Sequence, residues 1–241
     1  MPVFQLTADL VFPPPSLARH DGLLAIGGDL SERRLLLAYR MGIFPWYSEG
    51  EPILWWSPHP RLVLFPEEFH VPRRLGRVIR KGLFRVSVDS AFDEVIECCA
   101  TVRQPGREST WITPEMMRAY RKLHRSGYAH SVESWQGENL VGGIYGVSLG
   151  RCFFGESMFS LVSNASKVAL AALVNLMKEW NFSFLDCQVK TAHMVRLGAR
   201  EIPRRRFLQL LDKALQSETR RGFWATSCAH DHASPKVEAL A

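Results

Sequence analysis

The sequence predicts an α+β fold: a small N-terminal α/β domain over residues 1–62, a larger C-terminal domain over 63–228, and a disordered tail at 229–241. Three observations predict it. The stretch from Leu140 to Val189 reads as a β-hairpin, a loop, an amphipathic helix and a further strand. Pro58, Pro60 and Pro66 separate that half from a turn-rich, aromatic segment. A chain of 241 residues, 46% hydrophobic and 22% charged, buries a substantial core and is ordinary for a globular protein.

A net charge of +6 favours an anionic partner without choosing between nucleic acid, an acidic surface and plain solubility. The start, MPVFQLTADL, has neither a basic n-region nor a continuous apolar core, so no export signal is expected there. No run approaches the ~18 apolar residues of a membrane span. Five cysteines without C-x-x-C spacing suit reduced thiols in a cytoplasmic protein and argue against a disulfide framework or a structural zinc site. His230, Asp231 and His232 fall in the polar tail, and no metal is expected.

In chain order, Pro13, Pro14 and Pro15 forbid helix, and Ser31 is an N-cap for a short helix carrying Leu35, Leu36, Ala38 and Tyr39. Gly42 closes it and Pro45 prevents its resumption. Trp55 and Trp56 are neighbours in an expected strand, so they point to opposite faces. One indole is then free for an interface or for stacking on a nucleobase, worth ~1–3 kcal/mol per base; the alternative for such aromatics is core packing. On a helix starting near Pro72, Arg73, Arg77, Arg80 and Lys81 share a broad face, which is either solvated or set against a phosphate backbone.

A strand from Phe84 to Val88 leads into a helix with Phe92, Val95, Ile96 and Cys99 at core spacing. Thr113, Pro114 and Glu115 start the next helix and Gly127 ends it. Its Met116, Tyr120 and Leu123, with Trp111 just before, either line an apolar pocket or fill the core. A meander follows over Ala129–Trp135, Leu140–Ser148 and Arg151–Phe159, with Gly142, Gly143 and Gly146 marking a bulge or a close approach. Strict alternation puts Phe154, Glu156 and Met158 on one side of the last strand and Ser157 on the other. Asn164 is expected to cap a helix whose buried stripe is Leu170, Leu173, Met177 and Trp180. The strand FSFLDCQV then places Phe184, Asp186 and Gln188 on one face and Leu185, Cys187 and Val189 on the other. A buried Asp186 needs a hydrogen bond, a cation or a ligand. A last helix follows Arg204, Arg205 and Arg206.

Glu156 and Asp186 thus stand at strand ends around one helix, a placement suited to chemistry on a cationic or amine substrate. Cys187 and His193 as nucleophile and base are disfavoured, because Cys187 shares the core face. A coenzyme-A acyltransferase would want a glycine-rich phosphate loop before the helix, where SLVSNASK has no glycine. An RNA-binding protein on a similar scaffold would not need the two acids.

The strings GLLAIGGDLS, AYRMGIFPW, ILWWSPHPR, TWITPEMMRAY, GYAHSVE, LVGGIYGV, GESMFS, NASKVAL, LDCQV and LGAREIPR, in that order, resemble the leucyl/phenylalanyl-tRNA-protein transferase family, a match that covers roughly Leu23 to Leu211. His59, Leu161 and Arg196 depart from its pattern. The resemblance implies a cytoplasmic enzyme; no cofactor and a monomer are expected. It would move Leu, Phe or less often Met from aminoacyl-tRNA to the N-terminal Arg or Lys of proteins, marking them for N-end rule degradation. It also implies that the larger domain resembles the Gcn5-related N-acetyltransferase fold. Asp186 and Gln188 match the family's D-C-Q site and would hold the attacking amine and assist proton transfer, Asp186 as either base or anchor; Glu156, in G-E-S-M, would meet the acceptor's cationic side chain beside Asp186. Trp111, Tyr120, Met158 and Leu170 would form the aminoacyl pocket. Trp55 or Trp56 would stack on the terminal adenosine, and Arg73, Arg77, Arg80 and Lys81 would track tRNA phosphates.

Overall fold

Two sheets are built in succession. The first joins β1 (Phe4–Leu6), β2 (Leu23–Gly27), β3 (Phe44–Pro45) and β4 (Leu54–Trp56) in the order β1-β2-β4-β3, with α1 (Glu32–Arg40) crossing between β2 and β3. Ser31 Oγ accepts the Arg34 N–H at 3.3 Å and caps α1 as expected. Gly42, at φ +71°, ends it where a Cβ would lie 2.7 Å from the Phe207 ring.

The second sheet begins with β5 (Arg61–Leu64), which straddles the division expected after residue 62. It continues through α2 (Arg73–Arg80), β6 (Arg85–Val88), α3 (Phe92–Thr101), α4 (Pro114–Arg125), β7 (Ala129–Gln136), β8 (Asn139–Leu149), β9 (Cys152–Ser160), α5 (Ala165–Glu179), β10 (Phe184–Gln188), α6 (Ala192–Arg196), β11 (Arg200–Ile202) and α7 (Arg204–Leu215). The strand order is β11-β5-β10-β9-β8-β7-β6, and every neighbouring pair is antiparallel except β9 with β10. The α+β class holds. This computed structural model describes residues 2–102 and 111–224; Cys228, the His230–Asp231–His232 group and the expected tail lie outside the described residues. Among the described residues no helix is long and apolar enough to cross a membrane.

One apolar cluster runs from Tyr39, Phe44 and Trp55 of the first sheet to Phe154, Phe184 and Phe207 of the second, so the two units share a core. The other face of the large sheet packs Leu170, Leu173 and Met177 of α5 on Ile144, Phe153 and Leu185. Each such side chain contributes about 1.5–3 kcal/mol of transfer free energy. Asn164 does not cap α5: its backbone is left-handed, at φ +75°, and its side chain makes no capping bond. Ser160 Oγ at the end of β9 accepts the Ser166 N–H at 3.2 Å instead, tying the helix to the strand.

At Gly142 α5 comes close to the sheet, since a Cβ there would stand 2.5 Å from Ala165 Cβ. Gly142→Val is therefore expected to push α5 off β8 and to cost about 1–3 kcal/mol. Thermal unfolding of the variant should fall by several degrees; an unchanged midpoint would show that the contact is slack.

Candidate active site

The site forms where the one parallel pair of strands separates. β9 and β10 are paired at Cys152–Phe184, Phe153–Leu185 and Phe154–Asp186, and beyond Asp186 they diverge. Each strand is irregular at that point. In β9 the register against β8 passes from Gly155–Gly146 to Ser157–Tyr145, leaving Glu156 as an extra residue. In β10 the register against β5 shifts between Asp186 and Gln188, and Gln188 takes φ +60°. The extra residue corrects the strict alternation expected of this strand. Glu156 and Ser157 both face α3 and α4, where they bond Tyr120 and Cys99, whereas Met158 packs on the α5 side.

Glu156 is 8% exposed. Its Oε1 accepts from Gln188 Nε2 at 2.9 Å and its Oε2 from the Tyr120 hydroxyl at 2.7 Å. The Tyr39 hydroxyl lies 2.5 Å from that of Tyr120. Burial pushes the Glu156 carboxyl up to about 7, against the hydrogen bonds of Tyr120 and Tyr39, which favour the anion. Both phenols are themselves pushed well up, first by burial and then by the Glu156 charge, so they remain protonated donors.

Asp186 is fully buried. Arg61 grips it with both prongs, Nε to Oδ1 at 2.8 Å and Nη2 to Oδ2 at 2.6 Å, and Oδ1 also accepts the Gln188 N–H at 2.9 Å. The guanidinium lies over the rings of Phe44 and Phe207, at 4.8 and 4.5 Å. Asp186 therefore meets a protein cation, and its oxygens point away from the cleft. Arg61 was missed in the sequence. Its one signal is an arginine opening the apolar run RLVLF, on a strand that could face the orphan acid.

A cleft of about 960 Å³ opens in front of this network, with Trp111, Glu156, Met158 and Gln188 among its lining. Two residues expected in the aminoacyl pocket do not line it. Tyr120 lies behind Glu156, and Leu170 is fully buried in the cluster that also holds Met158. Trp55 is likewise unavailable for stacking: it is fully buried, with Nε1 donating to Gly27 O at 2.8 Å. Trp56 is half-buried and packs on Trp46, which is 41% exposed and lines the cleft. Arg73, Arg77, Arg80 and Lys81 are all exposed, because α2 buries only Leu75. Cys187 and His193 both line the cleft. They do not bond each other: the thiol reaches Leu185 O at 3.8 Å and burial pushes it well up, so it is no nucleophile at neutral pH.

Residues 63–212 match the family described as leucyl/phenylalanyl-tRNA protein transferase, and residues 28–59 match that family's N-terminal domain. The chain belongs to the leucyl/phenylalanyl-tRNA protein transferase family. Relatives bearing that name occur in Desulfatibacillum aliphaticivorans, 59% identical over 93% of this chain and 97% of the relative, and in Syntrophus aciditrophicus, 58% identical over 94% and 95%. One from Syntrophobacter fumaroxidans is 63% identical over 88% and 90%. Among solved structures, L-PGS from Bacillus licheniformis is similar at a TM-score of 0.36 and 11% identity, over 70% of this chain and 54% of that one. Membership makes the protein an enzyme, an aminoacyltransferase of this family.

Two predictions follow from the network. Asp186→Asn leaves the Arg61 charge buried without its counter-ion, so about 3–5 kcal/mol of stability should be lost in urea unfolding; a loss under 1 kcal/mol would mean that water reaches the pair. The second concerns pH. Glu156 is protonated in both states below the unfolded pKa of 4.5 and retains its proton in the fold up to about 7. Its contribution to stability is therefore complete below 4.5 and lost as pH rises through 7. Between pH 5 and 8 the native chain should lose stability relative to Glu156→Gln; parallel curves would refute the shift.

Proposed function

We propose that the enzyme moves Leu, Phe or less often Met from aminoacyl-tRNA to the N-terminal Arg or Lys of acceptor proteins, in the cytoplasm and as a monomer. The product would be marked for N-end rule degradation. The observation that carries this reading is the Glu156–Gln188 pair set into a largely apolar cleft, where β9 and β10 part.

An aminoacyl ester is already activated, so its aminolysis needs chiefly an oriented amine and a route for the proton. The acceptor's nitrogen attacks the ester carbonyl carbon, the bond to the ribose oxygen breaks, and that oxygen leaves with the proton lost by the amine. Gln188 uses its Nε2 on Glu156, which leaves its own Oε1 to accept from the attacking amine. Asp186 acts through Gln188, by holding its backbone N–H, and is proposed as a positioning residue. Glu156 as the anion meets the acceptor's cationic side chain.

Trp111 and Met158 would contact the transferred side chain, with Tyr120 and Leu170 supporting them from behind. An apolar pocket separates similar side chains by only ~1–3 kcal/mol per methylene, which suits Leu, Phe and Met alike. The terminal adenosine would stack on Trp56 or its neighbour Trp46, and Arg73, Arg77, Arg80 and Lys81 would follow backbone phosphates without reading sequence. The parallel, diverging β9 and β10, bridged by α5, support reading residues 63–228 as an acyltransferase unit of the Gcn5-related kind.

The test offers labelled Phe-tRNA and labelled acetyl-CoA with peptides beginning Lys, Arg or Ala. Label should pass only from Phe-tRNA and only to Lys and Arg peptides. Transfer from acetyl-CoA, or equal use of the Ala peptide, would overturn the reading.

A further inference from the structure

The cleft carries a second charged group that the reaction described above does not use. Lys167 stands on the first turn of α5, and His193 and Arg196 stand on α6; these are the helices that follow β9 and β10, and all three side chains line the cleft. No acid accompanies them. Glu156 is the one carboxylate among the described residues of the lining, and it is engaged by Tyr120 and Gln188. Lys167 Nζ makes a long contact, 3.4 Å, to the neutral Asn164 amide oxygen. Arg196 is exposed and has no carboxylate within ion-pair reach among the described residues. His193 Nε2 is shielded from solvent yet finds no hydrogen-bond partner among the described residues. Burial, then Lys167, then Arg196, hold the imidazole below its usual range, so the three groups lie within each other's field.

Two cations beside an imidazole in the lining of one cleft repel unless an anion enters among them. We propose that Lys167, His193 and Arg196 form a phosphate subsite that takes the phosphodiester adjoining the donor's terminal adenosine. The inference rests on the reading that the donor is an aminoacyl-tRNA. Chemically the fit is that of a phosphate. Arginine offers a planar fork, lysine a point charge and the neutral imidazole one further N–H, together matching several non-bridging and bridging oxygens of a monoanion. The surface arginines of α2 track a backbone at a distance from the chemistry. This group would instead fix the last nucleotide inside the cleft, and so set where its ester carbonyl lies relative to Gln188.

The experiment uses two minimal donors, 3′-phenylalanyl-adenosine and the same ester carrying a 5′-phosphate, with a peptide acceptor beginning with Lys. For the native enzyme the phosphorylated donor should be about tenfold better in kcat/KM, expressed in KM, as one charge-assisted hydrogen bond at a partly exposed site provides. In Arg196→Gln, at an exposed position, and in Lys167→Gln, at a half-buried one, the ratio of the two donors should fall toward one. If the native enzyme uses both donors equally, the subsite falls while transfer from an aminoacyl ester stands. A ratio untouched by either variant also overturns it. If instead the variants change only the preference for acceptors with an acidic second residue, the cations belong to the acceptor and the proposal is wrong. Should neither donor be used, the donor reading and this inference fall together.

Discussion

Arg61 and Asp186, 125 residues apart in sequence, meet as a buried bidentate pair, and the site depends on that contact. Removing both charges from water is costly. The attraction offsets that cost only where geometry is near ideal and the leftover lone pairs are satisfied. Both conditions are met on the acid, by two prongs from Arg61 and one backbone N–H from Gln188; on the guanidinium, Nη1 has no hydrogen-bond partner among the described residues, and aromatic rings cover its faces. Those rings come from β3 and α7, so one side chain on β5 joins the small sheet, the large sheet and the last helix.

From the ion pair the order of events in space runs toward the cleft. Asp186 fixes the Gln188 N–H, and with it a residue at φ +60°, a conformation that non-glycine side chains adopt only when the surroundings demand it. That turn carries β10 away from β9. The extra residue in β9 does the same on the other strand and swings Glu156 to the side where Gln188 and Tyr120 wait. The strain and the bulge therefore coincide with the place where the pairing of β9 and β10 stops and the cleft opens.

How much of this was legible follows from what each feature depends on. Most local signals hold: Thr113 caps α4 by accepting from Met116, Gly127 ends it at φ +76°, and the three-strand meander stands where periodicity places it, whereas Asn164 does not cap α5. What the sequence shows there is two awkward acids, Glu156 and Asp186; that Glu156 pairs with Gln188 while Asp186 pairs with Arg61 emerges only in the fold. The bulge was not legible, because one inserted residue changes no composition, and Gly155 is its sole trace. Arg61 was out of reach for a different reason: its partner is distant in sequence, and an arginine at a strand start ordinarily faces solvent. Adjacent tryptophans on a strand are expected to leave one indole free, yet Trp55 and Trp56 pack on the same apolar cluster, and the burial of Trp55 and the packing of Trp56 on Trp46 depend on how the small sheet closes.

The acid at the centre of the cleft is poised between two states. Burial favours neutral Glu156; the phenols of Tyr120 and Tyr39 favour the anion; the balance leaves the group titrating near neutrality. What enters then decides. An opposite charge within ~4–6 Å lowers a carboxyl pKa by about 1–3 units, enough to ionise it fully at neutral pH, whereas a neutral or apolar group leaves it protonated. A permanently ionised carboxylate at this depth would carry its desolvation cost in the empty enzyme. Under the proposed function, ionising only against a cation would hold that cost in abeyance and turn it into discrimination, because a neutral side chain arriving at Glu156 would meet a protonated carboxyl and gain no ion pair.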